Sequence, residues 1–120
     1  MPPVSFVRPE TLHKRADFLR AARGRRQAMP GFVLQGIARG DGSSAIRVGF
    51  TCSKKVGNAV ARNRAKRRLR EIARLMLPAS GHAGWDYVLI GRRDVTAARP
   101  FAKLLADLDA ALARLHRASG

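Results

Sequence analysis

Apolar and polar positions along this chain repeat in two rhythms, one helical and one alternating. Over residues 10–23, Leu12, Ala16, Leu19 and Arg23 recur at helical spacing and Gly24 offers a stop, which predicts a first helix with Phe18 off its stripe. Residues 25–31, with Met29 and Pro30, read as a short connection into a β-rich strand over 32–39. The Gly40-Asp41-Gly42-Ser43-Ser44 run is dense turn chemistry. Beyond it, residues 46–54 alternate, with Ile46, Val48, Phe50 and Cys52 on one face and Arg47, Gly49, Thr51 and Ser53 on the other. The two strands are expected to form a hairpin. Asn58 is a good N-cap for a helix running to Leu77, where Pro78 and residues 79–84 end it. A continuous apolar run over 87–90 predicts a strand covered on both faces. A last helix over 100–117 carries Leu104, Leu105, Leu108, Leu112 and Leu115 on one stripe. This order indicates an α+β sandwich with helices packed on a small sheet.

The central helix changes the picture once charge is considered. Ala65, Leu69, Ile72 and Met76 fall in one narrow arc, the face a core would take. Asn63, Arg67, Arg70 and Arg74 centre the opposite arc, with Arg64 and Lys66 flanking it and Arg62 and Arg68 bordering the apolar side. Like charges three and four residues apart repel, and Glu71 is the only acid in that turn, so a polyanionic partner is needed to offset them. Across all 120 residues, 24 Lys plus Arg stand against 8 Asp plus Glu, a formal charge of +16 that points to nucleic acid first and an anionic membrane second. The hydrophobic share of 46% is ordinary for one folded domain, so the charge is not a sign of general disorder. Short flexible ends are expected over about 1–8 and 118–120.

No apolar run approaches a membrane span, and the first residues lack the hydrophobic stretch of a secretory signal, which predicts a cytoplasmic protein. Cys52 is a single thiol, expected in the core, and His13, His82 and His116 are scattered. The acids Glu10, Asp17, Asp41, Glu71, Asp86, Asp94, Asp107 and Asp109 do not cluster as a metal-dependent nuclease requires. Gly57 lacks the Gly-Lys-Ser/Thr continuation of a phosphate-binding loop. No helix-turn-helix is recognisable, so DNA is the weaker nucleic-acid partner.

The string Lys54-Lys55-Val56-Gly57-Asn58-Ala59-Val60-Ala61-Arg62-Asn63-Arg64-Ala65-Lys66-Arg67-Arg68-Leu69-Arg70-Glu71, with the preceding Arg47-Val48-Gly49-Phe50-Thr51-Cys52-Ser53, closely resembles the signature of the bacterial ribonuclease P protein family. The resemblance extends to Phe18, Phe32-Val33-Leu34 and Trp85-Asp86-Tyr87-Val88-Leu89-Ile90. It implies one RNA-binding domain with the order α-β-β-β-α-β-α, a four-stranded sheet and a left-handed β-α-β crossover, opposite to the general rule of handedness. It also implies a non-catalytic protein that joins a large catalytic RNA, the assembly removing the 5′ leader of precursor tRNA with magnesium held by the RNA. No cofactor of the protein's own, no membrane and no DNA are implied, and a monomer is expected outside the particle.

Matched residue by residue, the resemblance places Arg62, Asn63, Arg64, Lys66, Arg67, Arg68, Arg70 and Arg74 against the catalytic RNA. Phe18, Gln35, Thr51, Ser53, Lys54, Lys55 and Asn58 fall at the leader cleft, where an aromatic ring stacks bases and cations hold the backbone. Two positions depart from the family's pattern: Ala22 stands where many relatives have a second aromatic one turn after Phe18, and Gln35 replaces an aromatic of the hairpin strand. For Phe18, a stacking platform and a core aromatic at a helix–sheet contact both remain open. A general or ribosome-associated RNA-binding module is the alternative function.

Overall fold

The computed structural model describes residues 8–117, so the flexible ends expected over 1–8 and 118–120 lie, Arg8 apart, outside the described residues. The elements run β1 (Glu10–Thr11), α1 (Arg15–Ala22), β2 (Arg25–Ala28), β3 (Phe32–Ala38), β4 (Arg47–Thr51), α2 (Ala59–Ser80), β5 (Trp85–Gly91) and α3 (Phe101–Arg117), with a short 3₁₀ turn at Lys54–Val56 before α2. The five strands form one mixed sheet in the order β1-β4-β5-β3-β2. α2 and α3 pack on one face of it and α1 on the other, the expected α+β sandwich.

Strand pairing departs from the expectation in three ways. β3 and β4 do not form a hairpin, because β5 lies between them, antiparallel to β3 and parallel to β4. The apolar run of β5 needs a neighbour on each edge as well as cover on each face, and a central slot supplies both. The true hairpin is β2 with β3, built from the segment read as a connection. A fifth strand appears at Glu10–Thr11, parallel to β4, where the Glu10 and Leu12 N–H groups donate to the carbonyls of Ile46 and Val48. Those residues therefore leave the predicted helix, which starts at Arg15, and its buried side becomes Phe18 and Ala21 while Leu19 is 48% exposed.

Two element ends also differ. β4 stops at Thr51 because the Ser53 side chain accepts the Lys55 N–H and opens the 3₁₀ turn. α2 runs through Pro78 to Ser80: so near the end a proline costs one bond, to the Arg74 carbonyl, and the Gly81 N–H still reaches the Leu77 carbonyl.

The main core joins Phe32, Leu34, Val48, Tyr87 and Leu89 of the sheet to Leu69, Ile72 and Leu77 of α2 and Leu104, Leu108, Leu112 and Leu115 of α3. Each such side chain contributes about 1.5–3 kcal/mol on burial. Cys52 is half-buried against this core rather than inside a strand, and burial pushes its thiol up. The last stripe, α3, is placed as its spacing predicts, with Leu105 only partly buried.

Candidate nucleic-acid interface

Helix α2 carries the basic arc on a rigid support. Asn58 caps its start, its side-chain oxygen accepting the Ala61 N–H at 2.9 Å. Gly57, at φ 149°, makes the turn into that cap in a region closed to most side chains. Ala65, Leu69, Ile72, Ala73 and Leu77 are buried against the sheet and α3. That anchorage turns Asn63, Arg64, Arg67, Arg70 and Arg74 outward, all exposed, with Arg62 and Lys66 half-buried.

The arginines of this helix differ in what they touch. Arg68 folds onto the β5–α3 loop, donating to the carbonyls of Thr96 (3.1 Å) and Ala97 (2.7 Å) and to that of Arg99. Burial, and then the nearby Arg64, hold its guanidinium below the usual arginine range. Arg74 pairs with Glu71, whose carboxyl is drawn down by that contact. The Arg70 guanidinium lies over the Phe50 ring, 5.9 Å from its centroid.

The opposite sheet face carries the second set of residues. Register places Gly49, Val88, Gln35 and Arg26 in one row across β4, β5, β3 and β2, and Thr51, Ile90, Val33 and Ala28 in the next. Phe18 of α1 lies over Gly49: a Cβ there would come within 2.6 Å of two ring carbons, so the missing side chain lets the ring settle on the strand. The ring packs against the cluster of Leu12, Ala21 and Val88, yet remains only half-buried. The ring therefore takes part in the helix–sheet contact and keeps part of its surface open. Beyond the end of β4, Ser53, Lys54, Lys55 and Asn58 follow Thr51 in the chain and are all exposed. Arg26 adjoins Gln35 across the β2–β3 pair, a neighbour that the expected connection over residues 25–31 does not provide. The alternation of Arg25 and Gln27 against Arg26 and Ala28 is the available signal of a strand.

A further missed feature fixes α1 on the sheet. The buried Asp86 carboxylate accepts from Arg20 (3.1 Å), Arg39 (2.9 Å) and Arg47 (2.8 and 2.7 Å). Burial pushes this carboxyl up, but the hydrogen bonds from Arg47 and Arg39 outweigh it and hold it below the usual carboxylate range. Asp17 adds contacts to Arg20 and Arg47 at 3.3 and 3.4 Å. Among the described residues no three His, Cys, Asp or Glu side chains come together as a metal site, and no helix is long and apolar enough to cross a membrane.

A model of the family described as Ribonuclease P matches residues 6–116. This chain belongs to the ribonuclease P protein family. The ribonuclease P protein component of Ruegeria pomeroyi is 65% identical over 106 residues, covering 88% of this chain and 85% of that one. That of Paramagnetospirillum magneticum is 55% identical over 113 residues, covering 91% and 84%. Among solved structures, the RNase P protein of Thermotoga maritima matches with a TM-score of 0.71 and 29% identity over 90% of this chain and 96% of that one. The Staphylococcus aureus RNase P protein matches with a TM-score of 0.70 and 28% identity over 87% and 93%. The likeness spans both the signature helix and the sheet faces, so the family's fold and the basic arc belong to one unit.

Proposed function

We propose that this chain is the RNA-binding subunit of ribonuclease P, a single domain that docks on the catalytic RNA through α2 and holds the 5′ leader of precursor tRNA on the opposite sheet face. The observation that carries the reading is the outward arc of Asn63, Arg64, Arg67 and Arg70, one amide and three cations held in place by a buried apolar arc, the cations left to be neutralised by an external polyanion. Arg62, Lys66 and Arg74 widen the arc, and Arg68 serves it indirectly by fixing the β5–α3 loop against the helix. Phosphate contacts by such a helix release counterions and give binding free energy without sequence preference.

The leader follows the row of Gln35 and Arg26 beneath Phe18, with Thr51 in the next row and Ser53, Lys54, Lys55 and Asn58 beyond it. The half-exposed Phe18 ring supplies a stacking surface and the lysines and Arg26 supply backbone contacts. The catalytic RNA supplies magnesium and the hydrolysis, and the protein works in the cytoplasm as a monomer until it joins the particle. Reconstitution tests this division of labour: protein alone, catalytic RNA alone and both together are assayed for leader removal at low magnesium. Cleavage is expected from the mixture and weakly from the RNA. Cleavage by the protein alone sinks the proposal. A general RNA-binding role is indicated instead if the protein binds structured RNAs equally and does not stimulate leader removal.

A further inference from the structure

On the α2 side of the sheet, between the outer edge of β4 and the second half of α2, lies a cleft of about 250 Å³. Its floor is Val48 and Phe50, its outer wall is Thr11 of the short strand β1, and its rim is Arg8, Arg70 and Arg74. The cleft opens on the sheet face opposite Phe18 and adjoins a second pocket of about 280 Å³ in which Phe50 and Arg70 meet Phe18 around the open edge of β4. Val48 and Phe50 pack with the core under α2, whereas the intervening Gly49 faces Phe18 on the other side of the sheet. It exists because β1 pairs with β4 only at Arg47 and Val48, so the edge strand ends where Phe50 begins.

The chemistry of the cleft is specific. An aromatic ring, half-exposed and already under one guanidinium, forms the apolar base, and three arginines stand around it with Glu71 as the carboxylate paired to one of them, Arg74. Apolar floor and cationic rim complement a planar base attached to a phosphate. The volume falls just under the roughly 300–1,000 Å³ of ordinary small-ligand pockets, which suits one base rather than a longer ligand. Arg70 and Arg74 belong to the same arc that faces the docking RNA, so a nucleotide of that RNA reaches the cleft without leaving the interface.

We propose that this cleft receives a single unstacked nucleotide of the catalytic RNA, its base on Phe50 and its phosphate between Arg70 and Arg8. The inference rests on the docking of α2 on that RNA and adds to it a shape-selective contact. An extruded base can enter only where the RNA has an unpaired nucleotide, so the cleft sets the register of the protein on a partner that the basic arc alone grips without specificity.

The test uses the full chain with the catalytic RNA, and with precursor and mature tRNA in the reconstituted particle. Phe50→Leu keeps the floor apolar but removes the ring, and Phe50→Tyr restores it. The leucine variant is expected to bind the catalytic RNA about 5- to 150-fold more weakly, the range that base stacking on one ring gives, with the tyrosine variant close to wild type. The ratio of precursor to mature tRNA affinity is expected to stay unchanged. Should Phe50→Leu fail to fold, short-wavelength ultraviolet crosslinking of the unaltered chain reads the same contact: the tryptic peptide of residues 48–54 should carry an unpaired nucleotide of the catalytic RNA.

Unchanged affinity for Phe50→Leu, while Arg67→Ala still weakens docking, overturns the cleft and leaves the α2 interface standing. A change confined to the precursor ratio, or a crosslink to the leader, assigns the cleft to the leader and overturns it equally. If Arg67→Ala is also without effect, the docking reading falls together with the inference.

Discussion

The arginines around Asp86 and those on the outer arc of α2 are the same residue put to opposite uses. Arg20, Arg39 and Arg47 surround a fully buried carboxylate with distances of 2.7–3.1 Å, and their charge is consumed inside the fold. Arg64, Arg67 and Arg70 stand in solvent on a helix with one acid nearby, and their charge is available to a partner. Arg68 sits in the signature helix but behaves like the first group, with its guanidinium spent on loop carbonyls. A formal +16 therefore overstates what an RNA meets, and position in the fold decides which cations count.

The strongest way to break this contrast is Asp86→Ala, which leaves three guanidinium groups facing an empty carboxylate site. Stability should fall by about 3–5 kcal/mol in urea unfolding, the cost of removing one partner of a buried ion network. RNA affinity of the folded fraction should hardly move. The same carboxyl predicts an acid limb. Its folded value lies below the ordinary one, so its contribution is complete above the usual aspartate range and disappears as pH falls through the lower folded value. A variant as stable as wild type at neutral pH would show that the network is decorative.

Next in size is the neighbouring pair Arg67 and Arg68. Arg68→Ala should cost about 1–3 kcal/mol by stranding the Thr96, Ala97 and Arg99 carbonyls, whereas Arg67→Ala should stay within about 0.5 kcal/mol. RNA binding should show the reverse order. Salt titration sharpens this: Arg67→Ala should lower the slope of log affinity against log salt by about one unit. Equal slopes for wild type and Arg67→Ala would move the interface off the arc.

Phe18→Ala probes a side chain packed in the fold and proposed to stack on the leader. Losing base stacking of about 1–3 kcal/mol should weaken precursor tRNA more than mature tRNA, alongside some loss of stability from its cluster with Leu12, Ala21 and Val88. Equal weakening of both substrates would make Phe18 purely structural. Adding a ring with Ala22→Phe, at an exposed position one turn on, should strengthen precursor binding.

The smallest effect concerns His116 of α3. Its ring stacks on His82 with centroids 3.4 Å apart, and its Nε2 lies 2.7 Å from the Tyr87 hydroxyl. Burial, then His82 and Arg25, lower it from 6.5 to about 4. The unfolded chain takes up this proton first, so stability should decline as pH drops from about 6.5 to about 4. His116→Gln should flatten that part of the stability profile, and an unaltered profile would assign the slope to other groups.

Helices α2 and α3 are legible in the chain alone, because an apolar arc repeating at helical spacing is a local pattern that any core on that side will bury. So is the outer arc of Asn63, Arg64, Arg67 and Arg70, since residues opposite a buried face must face out. The strand order comes from long-range pairing, chosen among edges far apart in sequence: β5 lies between β3 and β4, and residues 10–11 and 25–28 become strands by finding free edges. The same holds for the use of each charge. Asp86, Arg39 and Arg68 read as ordinary surface residues until the fold brings a partner to them, and burial then fixes what their charge can do.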